Sequence, residues 1–324
     1  MNILITGGAG YLGVHLLSQL IKFKNANIIV LDDHSNSDPK ILNNFQKNRI
    51  KLVSLSISNY KKLEKVFEEY NINYVYHLAA KIDAKESIRK KKLYMKINYI
   101  CTKNLIYLSN KYKVKKFFFA SSAAVYGNAK NKYCAENNKL LPINPYGKSK
   151  QYSENFIISN LDITKFYIFR IFNLIGLDQK YYKFFKHRKS VYFQLLNIFK
   201  SKKIFFFKVS KYTKNGKLFS TERDFIDVQD VSKVLAKALF MKKSNLIVNV
   251  GKGKPISIIE LVNLFEDTFN FKIKVLNKNK ENSDPKSVIA LTKNFNKYFK
   301  VLKIKDIKKT FKYLKLIIDK KRAN

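Results

Sequence analysis

The chain has 324 residues, of which 46% are hydrophobic and 14% aromatic, so it can bury a full core in one large domain or two interleaved ones. Its Lys and Arg residues number 64 and its Asp and Glu residues 23, a formal net charge of +41. Two cysteines exclude a disulfide framework, four histidines without ligand spacing exclude a metal set, and no apolar run reaches the ~18 residues of a membrane span.

The positive charge has two interpretations. A positive field recruits polyanions, which favours nucleic-acid binding. The lysines, however, alternate with Asn, Ile, Phe and Tyr through nearly every segment and form no arm or single stripe, as AT-rich coding produces. We therefore expect no specific nucleic-acid partner and no membrane partner. The first predicted strand starts near Asn2 without a preceding leader, which together with the few cysteines predicts a cytoplasmic protein.

Short apolar runs alternate with amphipathic stretches through the first half of the chain, the pattern of β-α-β units. The predicted strands are 3–6, 28–31, 51–55, 74–78, 116–121 and 165–171. The predicted helices are 11–24, 60–70, a long one near 86–112, and 146–160. This order predicts an α/β fold, with a Rossmann-type doubly wound parallel sheet.

From about residue 174 the regular order ends. The later predictions are a helix near 190–200, a hairpin-like stretch 204–220, a segment 224–228, a helix to about 241, strand 246–250, helix 257–269, strand 271–276 and two C-terminal helices. We expect residues 1–173, with about 223–250, to form a Rossmann domain. Residues 174–222 and 251–324 are expected to form a smaller α/β domain.

A glycine turn follows the first predicted strand. Four of the ten glycines, Gly7, Gly8, Gly10 and Gly13, fall within seven positions between that strand and a predicted helix. Such a turn brings backbone N–H groups and a helix N-terminus against a pyrophosphate. Asp32 ends the second strand nineteen residues past Gly13, where an acid bonds the adenosine ribose hydroxyls. The combination predicts NAD, in preference to NADP, as the cofactor.

Tyr146 and Lys150 lie one helical turn apart just after Pro145. A neighbouring cation lowers the pKa of a phenol from its usual ~10, but a useful shift of ~3 units corresponds to roughly 4 kcal/mol, more than one exposed lysine supplies. A second positive charge is needed, and an oxidised nicotinamide carries one. Ser122 is predicted at the carboxyl end of the fifth strand, where its hydroxyl can bond a substrate hydroxyl or relay its proton. Taken singly, each motif also has a purely structural interpretation, but their order along the chain favours a hydride-transfer site.

Together these motifs resemble the UDP-glucose 4-epimerase family of the extended short-chain dehydrogenase/reductase superfamily, from residue 1 to about 250. The segments that carry the resemblance are 6–13, 32–37, 77–80, 170–173 and 223–228, with Asn98 and with Ser122, Tyr146 and Lys150 at the family's catalytic positions.

The resemblance implies a set of site residues. Those implied to bind NAD are Gly7, Gly10, Tyr11, Leu12, Gly13, Asp32, Asn36, Ser37, Ser56, Ile57, Leu78, Ala79, Ala80, Asn98, Tyr146, Lys150 and Phe172. Those implied to bind substrate are Ser122, Tyr146, Asn173 and Arg223, with Arg223 on the diphosphate. No metal is implied.

The sequence departs from the family pattern in places. Ser56-Ile57 replaces the Asp-Ile that caps the adenine in the family. The family's lysine after the segment 77–80 is found one position earlier here, as Lys81. A late Arg-x-Gly-Asp motif is reduced to residues 280–285, where lysine lacks the bidentate fork of arginine. Related nucleotide-sugar dehydratases carry an acidic pair where this chain has Ala123-Ala124, so the resemblance favours epimerisation.

The resemblance implies an isomerase of carbohydrate metabolism, of the kind that serves galactose metabolism. The expected reaction is NAD-dependent epimerisation at C4 of a UDP-hexose of the UDP-glucose/UDP-galactose type through a transient 4-keto intermediate. Three alternatives stay open: 4-epimerisation of a UDP-N-acetylhexosamine or UDP-uronate, a nucleotide-sugar reductase that consumes external cofactor, and a non-catalytic NAD-binding protein. A homodimer is expected through the helices near 86–112 and 146–160.

Overall fold

The computed structural model describes residues 1–45, 49–128, 131–161, 164–185, 190–201, 206–214, 217–279, 285–300 and 302–322. Its strands are β1 Asn2–Thr6, β2 Asn27–Asp32, β3 Ile50–Ser54, β4 Tyr74–His77, β5 Lys116–Ser122, β6 Tyr133–Cys134, β7 Lys165–Ile171, β8 Asn173–Ile175, β9 Phe206–Lys214, β10 Lys217–Ser220, β11 Glu222–Asp227, β12 Leu246–Val250, β13 Pro255–Ser257, β14 Lys274–Asn279 and β15 Ser287–Ala290.

The α-helices are α1 Tyr11–Leu20, α2 Tyr60–Tyr70, α3 Ala84–Arg89, α4 Lys91–Tyr94, α5 Cys101–Lys111, α6 Pro145–Asn160, α7 Val191–Ser201, α8 Val228–Ala238, α9 Ile258–Phe269, α10 Lys293–Phe299 and α11 Ile307–Arg322. A π-helical turn spans Met95–Ile100. Short 3-10 helices span Pro39–Asn44, Ala123–Val125 and Gln179–Phe184. In the described part of the chain, no helix combines the length and the apolar character needed to cross a bilayer.

A parallel sheet of seven strands organises the first half of the chain, in the order β12-β7-β5-β4-β1-β2-β3. Its central strands are apolar on both faces, because helices cover both: Ile3, Leu4 and Ile5 of β1 are all fully buried. Separate apolar clusters fill the two faces. The strand order reverses between β1 and β4, and in open α/β sheets the ligand crevice lies at that reversal. The predicted doubly wound α/β fold is confirmed.

The predicted long helix near 86–112 is wrong as a single element. It breaks at Lys90, whose φ of −113° and ψ of 40° are not helical, and it continues through α4 into the π-helical turn. π-helical turns often mark functional sites. This one contains Asn98, whose side chain is buried.

The second half of the chain builds smaller sheets and a separate apolar cluster. Strands β9 and β10 pair as the predicted antiparallel hairpin, and β14 adds in parallel to β9; residues 204–205 and 215–216 of the predicted hairpin lie outside the described residues. Strand β14 begins three residues later than predicted. The reason is that the main-chain N–H groups of Phe271 and Ile273 still bond to Glu266 at the end of α9.

Candidate active site

The glycine turn joins β1 to α1 without room for side chains. Gly7 adopts a φ of +69°, a left-handed conformation that glycine tolerates. A Cβ at Gly13 would lie 2.4 Å from the carbonyl oxygen of Gly7, closer than real contacts allow. Gly10, the residue before α1, makes no side-chain cap, so no side chain occupies the positive end of that helix. This cradle fits a pyrophosphate.

Asp32 ends β2 beside this turn, as the sequence predicts. Its buried carboxylate accepts hydrogen bonds from the N–H of Ala9 at 3.0 Å, the N–H of His34 at 2.9 Å and the hydroxyl of Ser37 at 2.8 Å. A carboxylate has about four acceptor positions, so one remains for a ribose hydroxyl. Ser37 thus supports the acid rather than facing an open pocket. Asn36 next to it is exposed.

Two further predicted contact regions flank the turn. Ser56 is partly buried and lies 3.0 Å from the Ser58 hydroxyl, while Ile57 packs into the core. On the other side, Leu78 and Ala79 donate main-chain hydrogen bonds to the oxygens of Thr6. The segment of Leu78, Ala79 and Ala80 is partly exposed and lies directly against Gly7.

Asn98 holds the end of that segment. Its amide accepts from the N–H of Lys81 at 2.8 Å and donates to the Lys81 carbonyl at 2.9 Å. It also donates to the hydroxyl of Ser149 on α6 at 3.0 Å. The predicted cofactor residue therefore ties the cofactor-side loop to the helix of Tyr146.

A buried histidine under the same segment was not among the predicted site residues. The His77 ring nitrogens lie 2.7 Å from the Thr6 hydroxyl and 2.8 Å from the Thr102 hydroxyl. Because Thr102 donates its proton to the Asn98 carbonyl, Nε2 of His77 must be the donor to Thr102. Burial, assisted by the positive charge of Lys150, lowers the pKa of His77 to about 3, so the ring is neutral.

The predicted catalytic residues meet at the ends of β5 and α6. Asn144 begins α6 by accepting the Gly147 N–H at 2.8 Å, with Pro145 at the first helical position. This start directs partly buried Tyr146 toward the side chain of Ser122, which acts to lower the pKa of the Tyr146 hydroxyl. The Ser122 hydroxyl also accepts the N–H of Ala124 at 3.1 Å, which fixes its orientation.

Lys150 is buried one turn further along α6. Its ammonium donates to the carbonyl of Ala120 at 2.7 Å and lies 4.6 Å from the centre of the Phe119 ring. Burial lowers the pKa of Lys150 to about 7, and the negative charge of Glu154 opposes that change. Burial also raises the pKa of Tyr146, more than the hydrogen bond with Ser122 lowers it. The expectation that Lys150 lowers this pKa is therefore not met in the protein alone, and ionising Tyr146 requires a further positive charge.

The predicted substrate residues lie beyond β7. Phe172 is buried, and its N–H donates to the Val250 carbonyl at 3.0 Å. Asn173 follows as an exposed residue that starts β8, and β8 pairs in parallel with β11. Arg223 lies on β11, with its guanidinium on the carbonyl of Glu222 at 2.6 Å. Asn173 and Arg223 are thus brought to neighbouring strands; residues 280–284 of the late motif lie outside the described residues.

This geometry can be compared with known proteins. The family model described as "NAD dependent epimerase/dehydratase family" matches residues 3–251. The chain belongs to this family. The UDP-glucose 4-epimerase of Dictyostelium discoideum is 32% identical over 280 residues, which cover 81% of this chain and 79% of that protein. The resemblance to UDP-glucose 4-epimerases is therefore confirmed.

Two solved structures are similar over nearly the whole chain. The UDP-glucose 4-epimerase of Thermotoga maritima with UDP-glucose is 25% identical, covers 99% of both chains and superposes with a TM-score of 0.83. The UDP-glucose 4-epimerase of Bifidobacterium longum in complex with NAD+ and UDP is also 25% identical, covers 96% of both chains and has a TM-score of 0.83.

Sequence reasoning missed Glu154 in this epimerase-family site. Glu154 is fully buried and forms an ion pair with Arg170, with 2.7 Å between Nη2 and Oε2. A signal was present, because Glu154 follows Lys150 at the same four-residue interval that separates Lys150 from Tyr146. A charged residue in phase with two predicted catalytic residues lies on their face of the helix.

Proposed function

We propose that this member of the family is an NAD-dependent isomerase that interconverts UDP-hexoses differing in configuration at C4. One observation carries the proposal: Tyr146 lies against Ser122, with buried Lys150 one turn further along the same helix, at the sheet edge that also holds the glycine turn. A dinucleotide cradle and a proton-transfer pair on one edge serve redox chemistry at a hydroxyl-bearing carbon.

The residues present fit NAD. The uncapped start of α1 suits the pyrophosphate, and the remaining acceptor position of Asp32 suits an adenosine ribose hydroxyl. The segment Leu78 to Ala80, held by Asn98, faces the same crevice. When bound, NAD supplies a temporary acceptor for the hydrogen and electron pair at C4 of the sugar and, while oxidised, a positive charge.

The chain's own residues handle the proton. Tyr146 is placed to remove the proton of the 4-hydroxyl, directly or through Ser122, and to return it. Lys150 places a buried cationic group one turn away, and together with the positive charge of oxidised NAD it would favour the phenolate. Ala123 and Ala124 carry no acid or base beside these groups, so elimination of water is not supported.

The substrate side of the proposal rests on the second half of the chain. Residues 1–173 with 223–250 would hold NAD, and residues 174–222 with 251–324 would hold the nucleotide sugar. Asn173 and Arg223 lie on the paired strands β8 and β11 between these groups of residues. A guanidinium suits a diphosphate, and the net charge of +41 favours collection of an anionic substrate.

The proposal includes a homodimer. An aromatic surface runs along the π-helical turn, α5 and α6, and consists of Tyr99, Tyr107, Tyr152 and Phe156. Tyr107 is 48% and Tyr152 45% exposed. A two-fold axis would place this aromatic surface against its own copy, burying it without a second kind of partner.

Sedimentation analysis tests the dimer. Tyr107→Glu should shift the protein toward monomer, whereas Tyr313→Glu, which alters a tyrosine of similar exposure on α11, should leave its mass unchanged. A monomeric wild-type protein at micromolar concentration would contradict this part of the proposal. A cytoplasmic location is also proposed, and the two buried free cysteines are compatible with it.

The reaction is tested by incubating the purified protein with UDP-galactose, UDP-N-acetylgalactosamine or UDP-galacturonate, each without added NAD. Formation of the C4 epimer of at least one of them, with no net cofactor consumption, supports the proposal. Turnover that depends on and consumes external NADH or NADPH would indicate the reductase alternative. Salt-sensitive RNA binding without conversion of any nucleotide sugar would indicate a non-catalytic protein.

A further inference from the structure

The last three residues of β5 contact one face of α6. Each of the three contacts a different α6 side chain, and these side chains are four positions apart along the helix. The contacts are Ala120 with Lys150, Ser121 with Glu154, and Ser122 with Tyr146. Tyr146 and Lys150 in this row are the proposed base and its neighbouring cation, so the third side chain, Glu154, belongs to the same rigid arrangement.

Glu154 is held as a buried carboxylate. It accepts from the hydroxyl of Ser121, from Nε of Arg170 at 3.1 Å to each oxygen, and from Nη2 of Arg170 at 2.7 Å. Arg170 is itself buried, and its Nη1 donates to the Tyr126 hydroxyl at 3.0 Å and the Glu136 carbonyl at 2.8 Å. These contacts hold the carboxylate in a fixed position.

Stability alone does not explain this pair. Well-packed apolar residues often stabilise a protein as much as a buried ion pair does, because both charges must be desolvated. A polar role beyond the pairing with Arg170 is therefore expected, and the next cationic side chain on the same helix face is Lys150, one turn before Glu154. The other side of that ammonium meets the neutral carbonyl of Ala120 and the ring of Phe119.

The charged and titratable surroundings of Lys150 come from four elements. They are Tyr146 and Glu154 on α6, His77 on β4, Arg170 on β7, and Tyr94 on α4, which packs edge-on against Tyr146 and donates to Glu86. His77 is neutral and Arg170 is positive, so neither favours a protonated lysine. Within the described residues packed here, Glu154 supplies the negative charge that does.

We propose that Glu154 is a positioning residue that keeps Lys150 protonated and thereby eases the ionisation of Tyr146. This inference rests on the proposed function, since it deepens the role of the same site. It assigns to the carboxylate an effect that is relayed through the lysine, not a direct contact with substrate or cofactor.

The relay predicts the sign of the change in Glu154→Gln. Glu154 and Tyr146 are eight residues apart, about 12 Å along the helix axis. If the carboxylate acted directly on the phenol, its loss would remove a like charge and make Tyr146 ionise at lower pH. If it acts through Lys150, its loss deprotonates the lysine and makes Tyr146 ionise at higher pH. The direct effect and the relayed effect therefore shift the ionisation of Tyr146 in opposite directions.

The experiment uses the purified protein with the NAD it retains. Phenolate formation at Tyr146 is followed by ultraviolet difference titration, with Tyr146→Phe subtracted in the wild-type and Glu154→Gln backgrounds. We expect the Tyr146 transition to move to higher pH in Glu154→Gln. We also expect the basic limb of the kcat profile to move down by about one pH unit with little change in KM. In Glu154→Asp, the Tyr146 transition and the basic limb of the kcat profile should both return most of the way to their wild-type positions.

Two results would overturn the proposal: a Tyr146 transition that is unchanged or moves to lower pH, or a lower melting temperature with an unaltered pH profile. If Glu154→Gln does not fold, the double variant Glu154→Gln with Arg170→Met removes both buried charges, and the same upward shift is expected. Because the titration needs no turnover, it tests Glu154 even if no UDP-sugar is converted, a result that would instead sink the proposed function.

Discussion

Lys150 and Ala120 are joined by a hydrogen bond of 2.7 Å between the buried ammonium and the main-chain carbonyl. The cation of the site is thus fastened to the end of β5 as well as to its own helix. Burial leaves this ammonium with a pKa of about 7, close to neutrality. Its charge is therefore sensitive to its surroundings.

Replacing Lys150 by Met should lower kcat by roughly 10² to 10⁴-fold, because the phenolate of Tyr146 loses its fixed cation. Initial rates with UDP-galactose across pH 6 to 9 measure this. Lys148→Met is the matched control, since Lys148 lies on the same helix and is exposed. Equal losses of activity in Lys150→Met and Lys148→Met would show that the effect is not specific to the buried lysine.

Asn98 should be needed for cofactor retention. Asn98→Ala removes both hydrogen bonds to Lys81 and the one to Ser149, so the loop after β4 loosens. We expect a loss of about 1–3 kcal/mol in the free energy of unfolding and a lower NAD content after gel filtration. In the control Asn110→Ala, which loses a 2.6 Å bond to the Asn160 carbonyl, stability should fall while NAD content stays at the wild-type level. Equal NAD content in both variants would contradict this role.

The glycine turn should not tolerate a methyl group. In Gly13→Ala the added Cβ would meet the carbonyl oxygens of Gly7 and Gly8 at 2.4 and 2.6 Å, so the turn must open. We expect purified Gly13→Ala to retain little or no NAD. Gly251→Ala crowds the carboxylate of Asp224 instead, at 2.7 Å, and should lose stability but keep NAD. Full cofactor occupancy in Gly13→Ala would argue against a pyrophosphate at this turn.

Stability should fall as the pH falls through the range in which unfolded histidine titrates. His77 has a pKa of about 3 in the folded protein against an ordinary value of 6.5, so the unfolded chain binds the proton first. Above pH 6.5 the ring is neutral in both states and does not affect the free energy of unfolding. Below pH 6.5 the free energy of unfolding falls progressively. By pH 4.5 the loss from His77 should reach about 2 to 3 kcal/mol.

Urea unfolding of the wild type and His77→Gln at pH 7.0 and 4.5 measures that loss. The two proteins share every other titrating group, so the difference between their pH dependences isolates His77. We expect a shallower dependence in His77→Gln. Parallel curves would mean that the ring is already protonated in the fold or that it is not held by Thr6 and Thr102.

Much of the fold could be predicted because buried parallel strands are apolar runs separated by amphipathic helices. Strand β7 and helix α2 have the predicted bounds, Lys165–Ile171 and Tyr60–Tyr70. Strands β6, β8, β13 and β15 were not predicted, since two to four residues carry no measurable period. The π-helical turn was also missed, because the helical pattern was read as one regular helix through it.

The site was predictable where spacing determines geometry. Tyr146 and Lys150 share a helix face because four residues make one turn, and Asp32 ends a strand. The pairing of Glu154 with Arg170 depends on how β7 lies against β5, with Arg170 opposite Ser121. The burial that raises the pKa of Tyr146 has the same origin. Tertiary packing, not local pattern, decides both.

The most direct test of the account is the conversion of UDP-galactose by Tyr146→Phe, with NAD content measured in the same sample. The account predicts turnover at least about 10³-fold below the wild type with NAD content unchanged, because the ring remains and only the proton-carrying hydroxyl is lost. Near-normal turnover by Tyr146→Phe would contradict the central claim that this hydroxyl moves the proton of the sugar.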